Sequence, residues 1–281
     1  MTGGRALVVL AVAAAGLPLP AGAEQRPLWE FGLGATGLYL PDYRGANQGR
    51  GYVFPLPYAA YRGERFKVDR EGIRGIFFDT DRVELDVSVF GTPPVDSSKN
   101  QARQGMPDLD ATLEVGPVLD ITLARDRKID YTYRLRLRLP ARAVFPTDVV
   151  HWSYAGWVFY PHLNLDLRPE FLGGRWNVGF NAGPLYATGK YNDYFYTVAP
   201  QFATPERPAY QAPPGYSGWV ALASISRRVD KVWVGAYVRY DTLGGATFES
   251  SPLVKRDYAL SAGIGIAWVF AESKELVETE D

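Results

Sequence analysis

Two histidines make up the whole histidine inventory of this 281-residue chain, and each has a neighbour that could use it. His151 and Ser153 stand two apart, so on an extended strand their side chains share a face. With an acid to orient the imidazole and an oxyanion site, such a pair could run nucleophilic hydrolysis, and Asp148 is the nearby candidate acid. His162 and Asp166 stand four apart, which at strand rise separates them by about 13 Å, too far to share a metal ion unaided. The reading expected for His162 is therefore a hydrogen-bonded histidine rather than a ligand, and the expectation is of no catalytic, metal or cofactor site. Cysteine is absent, which removes thiolate nucleophiles and thiolate metal sites.

The stronger polar signal is ionic. Arg134, Arg136 and Arg138 alternate with Leu135, Leu137 and Leu139, and upstream Asp110, Glu114 and Asp120 lie on the polar face of their own alternating run. Inside a pore, an arginine ladder could select anions as charged rings do. The reading favoured here is that the acidic and basic faces fall on adjacent strands, neutralise one another and fill the lumen. A hairpin centred near Arg127 would set Asp120 opposite Arg134. A third set, Tyr191, Tyr194, Phe195 and Tyr196, lies in a Pro-rich loop at 188–216, where aromatic side chains could meet a partner or fold inward as a lid. Sequence alone leaves both open.

Strands must position all of these. In the stretch 257–270 (DYALSAGIGIAWVF) every second residue from Tyr258 to Phe270 is apolar, and those between are small or polar. That period of two has about the length of a tilted strand crossing a bilayer, with Tyr258, Trp268 and Phe270 as interface aromatics. The same pattern recurs at 30–40, 52–61, 82–90, 109–122, 131–139, 152–168, 175–187, 217–227 and 232–242, with Ala155, Trp157 and Phe159 expected outward. Pro55 and Pro57 cannot donate ladder hydrogen bonds, so the second strand is expected to be bulged or distorted. Stretch 66–78 is one irregular strand or two short ones. Both termini on one side of the membrane require an even count, which the split supplies, so the predicted fold is an all-β antiparallel transmembrane barrel of ten to twelve strands, twelve preferred. Short turns alternate with longer loops at 91–107, 144–151, 188–216 and 243–256, as outer-membrane barrels show.

Composition agrees. Aromatic residues make up 14% of the chain, and a net charge of −1 offers no basic footprint for nucleic acid. A mean hydropathy of −0.15 looks soluble, but alternation averages away an apolar face. Residues 1–23 read as a signal peptide, with Arg5, an apolar run and Ala21-Gly22-Ala23 before Glu24. The barrel is expected over 24–270 in the bacterial outer membrane, in contact with its lipid. The charged stretch 271–281 is expected to be a disordered periplasmic tail.

Several short motifs then gain meaning from their order: Pro41-Asp42-Tyr43-Arg44-Gly45 after the first strand, Pro55-Leu56-Pro57-Tyr58 in a strand ending at Tyr61-Arg62-Gly63, Tyr194-Phe195-Tyr196, and Ser251-Pro252-Leu253-Val254 before the Gly-alternating last strand. In these the chain resembles the MltA-interacting protein (MipA/OmpV) family of Gram-negative outer-membrane proteins. The resemblance implies a barrel with no catalytic residues and no cofactor. It further implies a scaffold tethering a murein transglycosylase and a peptidoglycan synthase, other members being linked to adhesion or small-molecule uptake. A channel for small solutes or an adhesin is the alternative. The His151/Ser153 pair is similar to that of outer-membrane lipid A deacylases, which look like much smaller barrels, and a lipid A-modifying esterase is the distant alternative.

Overall fold

A strand side chain points to the opposite face from its neighbour, so a chain of alternating apolar and polar residues buries its polar side only by closing on itself. The computed structural model describes residues 24–69, 72–126, 133–148 and 150–279, and the expected leader lies outside them. After a short β1 (Glu24–Pro27), the wall is built by β2 (Trp29–Pro41), β3 (Gly49–Arg62), β4 (Phe66–Asp69), β5 (Gly72–Asp79), β6 (Val83–Thr92), β7 (Ala111–Arg125) and β8 (Tyr133–Thr147). It continues through β9 (Trp157–Phe159) and β10 (His162–Leu167), past the small β11 (Glu170–Phe171) and β12 (Gly174–Arg175) ladder, to β13 (Asn177–Ala187), β14 (Gly215–Val229), β15 (Val232–Thr242) and β16 (Tyr258–Glu272). β16 pairs with β2, and β9 and β10 together bridge β8 and β13 as one interrupted strand, which makes a closed twelve-stranded antiparallel barrel.

Stretch 66–78 is two strands, as the even count required: β4 and β5 pair from Phe66↔Gly75 to Asp69↔Gly72. The predicted 152–168 strand is shorter than expected. Pro161 cannot donate to a ladder, and the chain is extended only at 157–159 and 162–167. The loop before it is 148–156 rather than 144–151, and Ala155, expected on the lipid face, is buried with Val144 and Tyr191. Opposite the break, a Cβ at Gly183 would overlap the Pro161 carbonyl, so only glycine lets the two backbones come this close.

The prolines of β3 do not distort it. Its register against β2 runs unshifted from Trp29↔Tyr61 to Pro41↔Gly49. The backbone N–H of Arg62 donates to the Leu28 carbonyl, so even-numbered residues of β3 bond toward β2 and odd-numbered ones, Pro55 and Pro57 included, face away from it. The missing donors fall where no ladder needs them. The stretch after Phe270 is not patternless either: β16 runs on to Glu272, and β17 (Leu276–Thr279) pairs with β1, from Glu24↔Thr279 to Pro27↔Leu276.

Outward side chains are apolar, with Leu33, Val53, Leu163, Ile264, Ile266 and Trp268 exposed to the surroundings, while Glu30, Asp86, Asp120 and Arg136 are buried inside. Connections at 63–65, 80–82 and 230–231 are short. Those at 42–48, 93–110, 188–214 and 243–257 gather at the other end into an apolar cluster of Tyr43, Val95, Leu109, Tyr196, Val198, Leu243, Phe248 and Leu253.

Candidate functional site

The lumen of this barrel is crossed by ion pairs from the short-turn end to the loop end. Near the turns, Glu30, almost fully buried, receives Arg62 at 3.0 Å and also Arg228, with the Tyr58 hydroxyl donating to it at 3.3 Å. Higher up, Arg74 meets Glu84 at 2.9 Å and Asp86 at 3.9 Å. Asp120 takes Arg136 at 3.0 Å and Arg138 at 2.8 Å, and Arg136 also bonds Asp166 at 2.7 Å. Arg142 lies 3.7 Å from Glu114 and donates to the Ser88 hydroxyl. At the mouth Asp241 holds both Arg239 and Arg44, at 2.8 and 2.7 Å.

The expected acidic and basic faces thus do lie on neighbouring strands, but their partners differ from expectation. Asp120 stands opposite Arg138, not Arg134, because the β7–β8 register runs four residues later than a hairpin centred near Arg127 would give. Its turn at 127–132 lies outside the described residues. Arg134 is set opposite Asp166 and Arg125. Asp110 is exposed in the 93–110 loop, where its carbonyl accepts from the Tyr194 hydroxyl, and takes no place in the ladder. Glu84 and Asp86 lie on the inward face that the alternation at 82–90 gives them, whereas Glu30, Arg62, Arg74, Arg142, Arg239 and Asp241 were missed, though each sits at a polar position of an alternating strand and parity alone could have found it.

The loop aromatics fold inward. Residues 189–196 form a helix, α1 (Gly189–Tyr196), whose Tyr191 packs on Val144, Val158, Leu185 and Val220 in the upper lumen. Tyr196 stacks on Phe248 with ring centroids 3.7 Å apart. Its hydroxyl donates to the Arg44 carbonyl at 3.0 Å, and its own carbonyl accepts from the Ser251 hydroxyl at 2.7 Å. The Tyr43 hydroxyl in turn donates to the Leu253 carbonyl at 2.8 Å. Gly45, at φ +88°, turns its carbonyl to the N–H groups of Lys255 and Arg256. Three stretches far apart in sequence, around 41–45, 194–196 and 251–254, so converge in one cap, and the Arg44 side chain ties it to the wall through Asp241 and the Ser217 carbonyl. Burial raises the Tyr43, Tyr191 and Tyr196 phenols well above their ordinary range and takes Tyr194 to about 12.

The histidine candidates separate. His151 is exposed on the 148–156 loop, with Nδ1 3.0 Å from Asp148, whose carboxyl is lowered to about 2 chiefly by the His151 backbone N–H. An acid does orient the imidazole, but no hydrogen bond joins His151 to Ser153 among those of the described residues, and the loop gives the pair no buried pocket. His162 is buried in the lumen, its Nδ1 2.8 Å from the Tyr160 carbonyl and its ring stacked on Tyr160. Asp166 serves Arg136 instead.

Comparison with known proteins gives three findings. A family description reading MltA-interacting protein MipA matches residues 33–270. Outer membrane protein OmpV of Vibrio cholerae is 28% identical over 218 residues, covering 75% of this chain and 76% of that protein. Among solved structures, a bacterial polysaccharide outer membrane secretin covers 86% of this chain and 99% of its own at TM-score 0.39 and 9% identity. A CymD monoaromatic hydrocarbon channel covers 86% and 89% at TM-score 0.30 and 10% identity. Scores this low leave their functions with them.

Proposed function

The chain belongs to the MltA-interacting protein MipA family, an outer-membrane β-barrel, and from that premise we propose that it works as a closed, non-enzymatic scaffold that presents surfaces to partners and conducts no solute. The observation supporting this reading is a lumen occupied end to end by buried, paired charges under a packed cap. Ions crossing such a lumen would have to break pairs already desolvated inside the protein, which is costly. The family name points to a murein transglycosylase as the partner class. A peptidoglycan synthase is the second partner in this proposal, both meeting the short-turn end, where β1 and β17 form a two-stranded projection beside the barrel.

Planar-bilayer recording on the purified chain tests the closed lumen, and the expected result is no sustained conductance steps. Steady steps would overturn it in favour of a solute channel. The scaffold role is tested by passing a purified murein transglycosylase over the immobilised barrel, with retention expected. An enzyme that runs through unretained would remove that role while leaving the closed lumen standing.

A further inference from the structure

The wall is not sealed everywhere by hydrogen bonds. β4 has 4 residues and β5 has 8, fewer than a strand needs to cross a bilayer, so their hairpin fills only the turn-side part of the space between β3 and β6. β3 meets β4 only at Tyr61↔Val68 and Arg62↔Lys67, and β6 meets β5 from Arg74↔Ser88 downward. Among the described residues, 49–57 of β3 therefore have no strand partner on their outer side, and neither do 89–92 of β6. At the loop end the space is closed by bonds from Gln48 to the Lys99 carbonyl (3.1 Å), from Asn100 to Asp42 (2.7 Å) and from Arg50 to the Asp96 carbonyl (3.4 Å). What remains is a lateral opening in the half of the wall nearer the cap.

Two features give this opening a chemistry. Its rim on β3 is poor in donors: the odd-numbered backbone groups face the opening, Pro55 and Pro57 have no N–H, and over 53–57 the carbonyls of Val53, Pro55 and Pro57 remain with the single N–H of Val53. A strand from another chain would need those donors, so the edge is blunted against pairing. In hydrocarbon those carbonyls call for a donor from elsewhere. The inner flank is aromatic. Tyr52 and Phe54 share the inward face of β3 with Tyr58 and stack with an interplanar angle of 13°, and Phe90 shares the inward face of β6 with Asp86 and Ser88 beneath the Arg142 guanidinium. Phe54 and Phe90 are each 43% exposed although they point inward, because the opening leaves their rings uncovered.

We propose that this opening is a binding site for a small planar aromatic molecule bearing a hydroxyl or amine donor, reached sideways from the outer leaflet of the membrane. The rings stack on Tyr52, Phe54 and Phe90, and the donor satisfies a rim carbonyl. Against the donor-poor stretch 53–57 a lipid ester brings only further acceptors, and its acyl chain has no face to stack. The cap closes the axial route, so the bilayer is the side from which such a molecule arrives.

The full chain, folded in detergent micelles, is titrated with 1-naphthol and with 1-methoxynaphthalene, which lacks the donor, and binding is read by equilibrium dialysis. Saturable binding of 1-naphthol is expected, tighter than its ether by about tenfold, the scale of one net hydrogen bond. Phe54→Ala with Phe90→Ala should weaken 1-naphthol several-fold, and Phe54→Leu stands in if the double variant loses heat-modifiable migration. Pro57→Ala restores an N–H to the rim and should narrow the preference over the ether. Equal binding of the two probes, indifference to the ring substitutions, or full displacement by a dodecyl-chain competitor at matched concentration would each overturn the proposal. Conductance is not the readout, so the site stands or falls independently of the closed lumen.

Discussion

Asp120 is 3% exposed and faces two arginines, so it is the residue at which a filled lumen can be measured. Removing one member of a buried pair leaves an uncompensated charge and costs about 3–5 kcal/mol, whereas a solvated pair is worth about 0–1 kcal/mol. Asp120→Asn should therefore destabilise the barrel by an amount in the first range, Arg136→Gln similarly, and the double variant by less than their sum, with coupling above about 1 kcal/mol in a urea cycle read by heat-modifiable migration. Coupling near zero would mean water fills the space between them. That these residues face inward was legible in the alternation of Arg134, Arg136 and Arg138 with leucines. Which carboxylate meets which guanidinium was not, because parity fixes the face and the turn fixes the register. The β7–β8 register places Arg138, not Arg134, against Asp120.

At the scale of elements, the same parity carried most of the fold. It gave the closing strand, the exact span of β15 and the split of 66–78, since each rests on an unbroken apolar face or on the even count a closed wall needs. It failed where a proline's consequence depends on what lies beside it. Pro55 and Pro57 leave β3 regular because their missing donors face an opening, while Pro161 interrupts its strand inside the ladder. The 271–279 stretch was misread because its partner, β1, is far away in sequence. The register of β16 makes a further test. Ile264 is 69% exposed on the outer face at mid-strand, so Ile264→Arg should cost about 2–4 kcal/mol on refolding into bilayers. Thr36→Ser, which keeps the hydroxyl bond to the Ile264 carbonyl from the neighbouring strand, should cost less than about 1 kcal/mol, the ordinary scale of a mild substitution. Equal costs would mean the two faces have been assigned the wrong way round.

The whole molecule is a wall with a separately built cap, and the two should respond differently to base. The cap could not be seen in the sequence, because Tyr43, Tyr196, Phe248 and Leu253 come from three loops and no periodicity links them. Its tyrosines nevertheless give it a pH signature. Burial raises the Tyr43, Tyr191 and Tyr196 phenols above the ordinary value of 10.0, so the folded cap holds their protons more tightly than the released loops do. The stability this contributes is fully present below pH 10.0 and is lost as pH rises beyond it, because the unfolded loops then shed protons that the folded cap retains. The wall rests on its strand ladders and on arginine–carboxylate pairs, and none of the three cap phenols is a member of either. Alkaline titration of the full chain, followed by phenolate absorbance, should therefore show cap tyrosines ionising late and together with loop release, while heat-modifiable migration of the barrel is unchanged. Tyr196→Phe removes one of the titrating groups and should move loop release to higher pH, at the cost of the bond to the Arg44 carbonyl, worth about 0.5–1.5 kcal/mol at neutral pH. Tyrosines that titrate together with free phenol would mean that the loops do not pack, and the barrel's closure would then rest on its lumen charges alone.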